Sequence, residues 1–225
     1  MNRGLTTVAC LLLSLLPGLN KCWSQAGSIF DHITTEHGLS SNGVHDILQD
    51  QEGFYWIATR NGLDRFDGTN IKTFFNNPAD SNSLIHNHCT GLTEDNAGNI
   101  WIGTLKGISC FIKTENRFRN FSFNDPQIPS DNLNRVAGIF KDGEGNIWAY
   151  GVLLMKYDHK RQQWTNYMQR PPFNDATIFS APKTASYDPV HKGIWVAARP
   201  GLFFIQGETI LHAKNNPQQW KIFSY

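Results

Sequence analysis

The sequence has few long apolar runs, little charge of either sign in excess, and hardly any cysteine. No helical periodicity of any length is legible, which argues against a helical bundle or a doubly wound fold. Lysine and arginine total 20 against 19 aspartate and glutamate, and no basic tract appears, so nothing suggests a nucleic-acid surface. A nucleophile elbow, a P-loop and a dinucleotide fingerprint are all lacking. The one apolar run, Leu5 to Leu16, follows Arg3 and is broken by Pro17-Gly18. It is shorter than the ~20 residues that cross a bilayer. With Ser24-Gln25-Ala26 as a small-x-small cleavage site, residues 1–26 read as a signal peptide and the mature chain as starting near Gly27. A lipid anchor on Cys22 is disfavoured by Lys21, which stands where such sites want a small residue. Of four cysteines, Cys10 and Cys22 leave with the signal. Cys89 and Cys110 remain, and a strand between them sets them roughly 9–10 Å apart, beyond disulfide reach. Two free, half-buried thiols are expected.

What is present is a repeat. Trp56, Trp101, Trp148 and Trp195 recur at intervals of 45, 47 and 47 residues. Gly53, Gly98 and Gly145 stand three residues before the first three tryptophans, Gly193 stands two before the fourth, and Asp50, Asp95, Asp142 and Asp188 precede those glycines. Downstream, Gly62, Gly107 and Gly201 fall six residues after their tryptophans, whereas the third copy reads Ala149-Tyr150-Gly151-Val152 and is one residue shorter. Each copy parses into four short strands. In the second these are His88 to Thr93, Ile100 to Thr104, Ile108 to Ile112 and Arg117 to Phe123, with Asn96-Ala97-Gly98-Asn99 as a hairpin turn. Four antiparallel strands per 45 residues or so are the arithmetic of a propeller blade. The tryptophan fills the space between neighbouring sheets, and Gly62 and its equivalents suit a turn that a Cβ would forbid. The predicted fold is all-β: a partial β-propeller of four four-stranded antiparallel blades at about 40–77, 84–125, 132–170 and 176–225, with residues 29–33 as an orphan closing strand. A composition 40% hydrophobic and 12% aromatic supports a packed domain over 27–225.

The stretch Asp95 to Ile108, written Asp-x-x-Gly-x-Ile-Trp-x-Gly-Thr-x-x-Gly-Ile, together with the lead-in Gly38-Leu39-Ser40-Ser41-Asn42, resembles the two-component regulator propeller repeat. In that family such repeats form the periplasmic sensor region of membrane-spanning hybrid histidine kinases, and many members respond to glycan fragments. The resemblance covers about residues 29–225. It implies a non-enzymatic, periplasmic, ligand-sensing propeller segment responding to carbohydrate, with no cofactor and no catalytic residue. No autophosphorylating histidine motif, ATP-binding glycine box or receiver domain is present, so the kinase half is absent from this chain. Four blades fall short of the number the family usually closes, so a fragment is expected: the amino-terminal part of a truncated or interrupted reading frame. Its partners would be an oligosaccharide ligand and either the remaining blades or a second copy of the chain. Membrane contact would come only through the missing parts of a full-length sensor.

The polar links Asn76 to Ser83, Asn124 to Asn132 and Arg170 to Asp175 open on the same end of the blades as the turns at Arg60-Asn61, Lys106 and Arg199. Loops at one end of a rigid scaffold concentrate binding residues. The candidate ligand contacts are Arg60, Asn61, His86, Lys106, Asn134, Arg135 and Arg199, against the alternative of ordinary solvated loops. His86 and His88, on an extended strand, would face one side, but a zinc site needs three or four ligands and no further one falls at a telling spacing. No metal is therefore expected. Asp64 and Asp67 superficially suggest a glycosidase pair, yet Asp67 and Asp158 recur as strand-ending turn residues. The alternatives are a secreted propeller lyase, which needs a metal or histidine cluster in its channel, and a protein-interaction module using bare blade edges.

Overall fold

In the computed structural model the described residues are 32–123, 134–167, 182–199 and 201–206, with the backbone of 209–212. The chain divides into two compact units, Met1–His32 and Ile33–Tyr225. The predicted signal peptide and residues 29–31 of the expected closing strand lie outside the described residues; His32 and Ile33 carry no strand, and Thr35–His37 forms one turn of 3-10 helix.

Four four-stranded antiparallel sheets follow, as the repeat predicts. The first holds β1 (Val44–Gln49), β2 (Tyr55–Thr59), β3 (Gly62–Phe66) and β4 (Ile71–Phe74). The second holds β5 (Cys89–Glu94), β6 (Ile100–Thr104), β7 (Gly107–Ile112) and β8 (Arg117–Phe121). The third holds β9 (Val136–Lys141), β10 (Ile147–Gly151), β11 (Leu154–Asp158) and β12 (Gln163–Asn166). The fourth holds β13 (Thr184–Asp188), β14 (Gly193–Ala198), β15 (Gly201–Gln206) and β16 (Thr209–His212). Each sheet is a simple meander, and the first strands β1, β5, β9 and β13 approach one another in sequence.

Side chains alternate across each strand, so each sheet offers one apolar face to each neighbour. Trp56 packs between the first and second sheets with Leu92, Ile100 and Phe111; Trp101 between the second and third with Ile147 and Tyr157; Trp148 between the third and fourth with Ile194 and Phe203. Trp195 is only half-buried, since no fifth sheet follows among the described residues. Cys89 and Cys110 are fully buried, deeper than the half-burial expected, and both are free. They face different interfaces, Cys89 that of the first two sheets and Cys110 that of the second and third. Burial pushes the Cys89 thiol up to about 12, so it is inert as a nucleophile at neutral pH.

The aspartate of the motif does more than end a strand. Asp50 Oδ1 accepts from the amides of Glu52 and Phe54, and its Oδ2 accepts the Trp56 indole N–H at 2.7 Å. Asp95 does the same for Ala97, Asn99 and Trp101, and Asp142 for Glu144, Asn146 and Trp148. One carboxylate therefore both closes the hairpin and satisfies the only polar atom of a buried indole. Within these turns Gly53, Gly98 and Gly145 adopt positive φ of 92°, 82° and 87°. The fourth copy differs by one position: Lys192, at φ 51°, takes the left-handed place, and Asp188 binds the Val190 and His191 amides as well as Trp195. This is why Gly193 stands one residue closer to its tryptophan. Asp67 and Asp158 behave as turn residues, accepting from the amides of Thr69 and Asn70 and of Lys160 and Arg161. Asp64 is fully buried, its Oδ2 receiving the amide and hydroxyl of Ser40, so no carboxylate pair faces solvent there.

Candidate functional site

The end of the sheets that carries the β2–β3, β6–β7 and β10–β11 turns is built by a second repeated device, an asparagine just before the first strand of each of the first three sheets. Asn87 Oδ1 accepts the amide of Asn76, two residues past β4, at 2.6 Å. Asn134 Oδ1 accepts the amide of Phe123, two residues past β8, also at 2.6 Å, while its Nδ2 donates to the Phe123 carbonyl at 3.1 Å. Asn42 receives the Thr35 amide at 2.9 Å. These asparagines pin the inter-sheet links. Asn134, expected as a ligand contact, is occupied in this way on both polar atoms.

The residue after each asparagine is fixed by a further repeated bond. The carbonyl of Gly43 accepts the amide of Arg60 at 2.8 Å, that of His88 the amide of Leu105 at 3.2 Å, and that of Arg135 the amide of Val152 at 3.2 Å. The turn tips are thereby tied over the strand starts. Two residues further on, each of the first three sheets carries a β-bulge: the register with the second strand shifts at His45 in β1, at Thr90 in β5 and at Ala137 in β9, whereas β13 pairs without interruption. A bulge re-aims the side chain of its extra residue. His45 is turned so that its ring stacks on His88, centroids 4.8 Å apart and planes at 28°.

His86 and His88 lie in the link, not on a strand: β5 begins only at Cys89. The His88 amide donates to His86 Nδ1 at 3.1 Å, which curls the link between them. The two imidazoles therefore do not form the strand-spaced pair the sequence suggested. Among the described residues no group of three or more His, Cys, Asp or Glu is placed to hold a metal ion.

Around this mouth Arg60, Asn61, Lys106 and Arg135 are exposed, and His86 and His88 half-buried. Asn61 Oδ1 lies 3.5 Å from Asn87 Nδ2. Arg199 is exposed at the corresponding turn of the fourth sheet. Beside Arg135 a depression of about 340 Å³ is lined by Thr90, Leu105, Val136, Ala137, Val152 and Lys183 among others, within the ~300–1,000 Å³ common for small-molecule sites. Burial depresses the pKa of both histidines. Lys106 adds to this for His86, and His45, Arg60, His86 and Arg135 add to it for His88. Sequence reasoning named the charged tips and missed His45, Thr90, Ala137 and Lys183, because a bulge leaves no residue-type signature.

The profile of the two-component regulator propeller matches residues 38–61 and 83–106. Both stretches run from the lead-in to the turn tip, and so contain the link asparagine, the bulge, the capping aspartate and the tryptophan. A 56-residue segment is 46% identical to histidine kinase P4 of Formosa agariphila, covering 25% of this chain and 4% of that protein. Among solved structures, virginiamycin B lyase of Staphylococcus aureus superposes with a TM-score of 0.57 at 15% identity, over 79% of this chain and 59% of the lyase. At that identity the likeness is one of fold. The extracellular domain of a putative hybrid two-component system of B. thetaiotaomicron superposes with a TM-score of 0.46 at 16% identity, over 82% of this chain and 29% of that one. The chain thus spans less than two thirds of each of these proteins. With the capping aspartate, the interleaved tryptophan and the matched segments in agreement, the chain carries two-component regulator propeller repeats at residues 38–61 and 83–106.

Proposed function

We propose that the chain is the ligand-sensing propeller segment of a two-component sensor, that it works outside the cytoplasm, and that it binds a saccharide at the mouth formed by the links, turn tips and bulges. It performs no chemistry of its own on this reading. The observation that carries it is the bulge repeated at His45, Thr90 and Ala137. The frame is specified three times over by the same hydrogen bonds, yet the side chains it aims at the mouth differ from sheet to sheet, as recognition of an asymmetric ligand requires. The repeat type and the kinase segment support a sensing role. A bound ligand shifts the sensor only through its differential affinity for two conformations of the assembly. The test is a thermal-shift and calorimetric screen of the purified chain against saccharide libraries. Binding that is lost on changing Arg60, Asn61 or Arg135 supports the reading, and turnover of a saccharide or peptide by the chain would replace it with an enzymatic one.

A second reading has its own observation. Val44, Ile47 and Tyr55 are 41%, 59% and 41% exposed. The β1–β2 register puts them on one face with Ile57, opposite the Trp56 face that meets the second sheet. Such an apolar strip suits association with further blades or a second copy. Sedimentation of the wild type beside Ile47→Lys tests it: a dimer that the lysine dissociates supports association, and a monomer at all concentrations rules out a second copy.

A further inference from the structure

Most cations elsewhere among the described residues are paired with a carboxylate or an aromatic ring, the exposed Lys160 and Lys192 and the amide-bound Lys141 excepted. Lys113 sits 2.8 Å from Asp50 and 3.3 Å from Glu94, Arg117 pairs with Glu115, and Arg161 lies 3.8 Å from Asp158. Arg65, Lys72, Arg119 and Lys156 lie over aromatic rings. At the mouth, Arg60, Lys106, Arg135 and Lys183 have neither a carboxylate nor a ring among the described residues. The nearby strand carboxylate, Asp46, is turned away, its Oδ2 accepting the Leu92 amide at 2.8 Å and its Oδ1 the Ile47 amide. The stacked pair His45–His88 adds two groups that can only increase the positive charge. Like charges held together without counter-charge repel one another; the backbone bonds at Gly43, His88 and Arg135 fix each turn tip over its own strand start, and the packing of β1 on β5 and of β5 on β9 keeps those starts side by side.

We propose that the mouth is a binding site for an anionic saccharide, one whose carboxylate or sulfate is held by Arg135 and Lys183 in the depression beside Thr90 and Ala137, with Arg60 and Lys106 attracting the rest of its charge. Arg135 suits a planar or tetrahedral oxyanion because its guanidinium offers paired donors. The electropositive mouth also speeds encounter with an anion, an effect that salt weakens. The proposal rests on the saccharide-sensing reading and narrows it to the acidic members of that class.

Isothermal titration of the full chain with tetragalacturonate, a sulfated tetrasaccharide and neutral cellotetraose, each at low and at physiological salt, tests both levels. The expected result is binding of one of the two acidic probes, weakened by salt, with no binding of cellotetraose. Arg135→Gln or Lys183→Gln should weaken it by at least about tenfold, the loss of one charge-assisted bond. Arg161→Gln, among the carboxylate-rich turns, should leave it unchanged. Which acidic probe binds separates carboxylate from sulfate recognition. Binding of cellotetraose as tight as that of either acid overturns the charge inference and leaves the saccharide reading standing. No binding of any probe overturns both. Acid binding that is indifferent to Arg135→Gln and Lys183→Gln but lost with Arg161→Gln, or indifferent to all three, is non-specific adsorption and also overturns the proposal.

Discussion

The two ends of the sheets use charge in opposite ways. At the end bearing the β1–β2 turns and their equivalents, carboxylates are structural: Asp50, Asp95, Asp142 and Asp188 each cap a hairpin and hold an indole, and Lys113 joins Asp50 and Glu94 across the first two sheets. A cavity of about 290 Å³ at this end is lined by Asp142, Trp148 and Lys156, of which Asp142 and Trp148 are bonded to each other and Lys156 lies over the Trp148 ring. At the mouth the backbone makes the structural bonds, through the asparagine clamps and carbonyls, and the charged side chains are left over. The side chains free for recognition are therefore those that the fold does not require.

That contrast can be broken most forcefully at an indole. Trp101→Ala removes a side chain packed against Phe121, Tyr157 and Trp164 and should cost about 3–5 kcal/mol in urea unfolding. Asp50→Ala comes next, at about 3 kcal/mol, because it strands the Trp56 indole, two turn amides and Lys113 together. Burial alone would raise the Asp50 carboxyl, but Lys113, the Trp56 indole and the Phe54 amide outweigh it and hold the group below its ordinary value. Its contribution is thus present above about pH 4 and lost as pH falls further, so the acid-side slope of stability should flatten in Asp50→Ala. The glycines sharpen the comparison further. Gly107, at φ 132°, has the Phe121 carbonyl where a Cβ would go, whereas Gly53, at φ 92°, has nothing within 4 Å. Gly107→Ala should cost about 3 kcal/mol and Gly53→Ala about 1 kcal/mol, the backbone term alone.

The smallest effects belong to the mouth. Arg60→Gln and Arg135→Gln should leave unfolding unchanged within about 0.5 kcal/mol, and a larger loss would show that these side chains serve the fold after all. His88 has its pKa depressed, first by burial and then by His45, Arg60, His86 and Arg135. Folding thus favours its neutral form, so its contribution is present above about pH 6.5 and declines as pH falls and the unfolded chain takes up the proton first. An NMR titration should find its midpoint below that of a free imidazole, and an anionic occupant of the mouth should raise it.

Most of the fold was legible because its signals are local. Period-two alternation marks the strands, and asparagine and glycine mark the turns; the predicted strands of the second copy begin and end within a residue or two of β5 to β8. The tryptophan interval marks the sheets because one buried indole per interface is a packing requirement. The mouth was less legible. Asn134 looked like a contact because an exposed polar residue in a link has no local mark that distinguishes a clamp from a ligand. His86 and His88 looked like strand residues because extended and curled links share one composition. The bulges stayed hidden since they alter pairing between strands, which residue order along one strand does not record. Lys192 likewise took a glycine's place in a left-handed turn, which the shifted spacing hints at but does not name.

The bulges have one more consequence. Since the strand pairs on either side of the bulge resume their register whether His45, Thr90 or Ala137 stands there, the pairing of the frame does not depend on the residue at these positions, even though Thr90 also donates its hydroxyl to the Val136 carbonyl of the next sheet. A lineage can rewrite them one blade at a time and retune what is recognised, while every cap, clamp and indole of the frame is inherited intact.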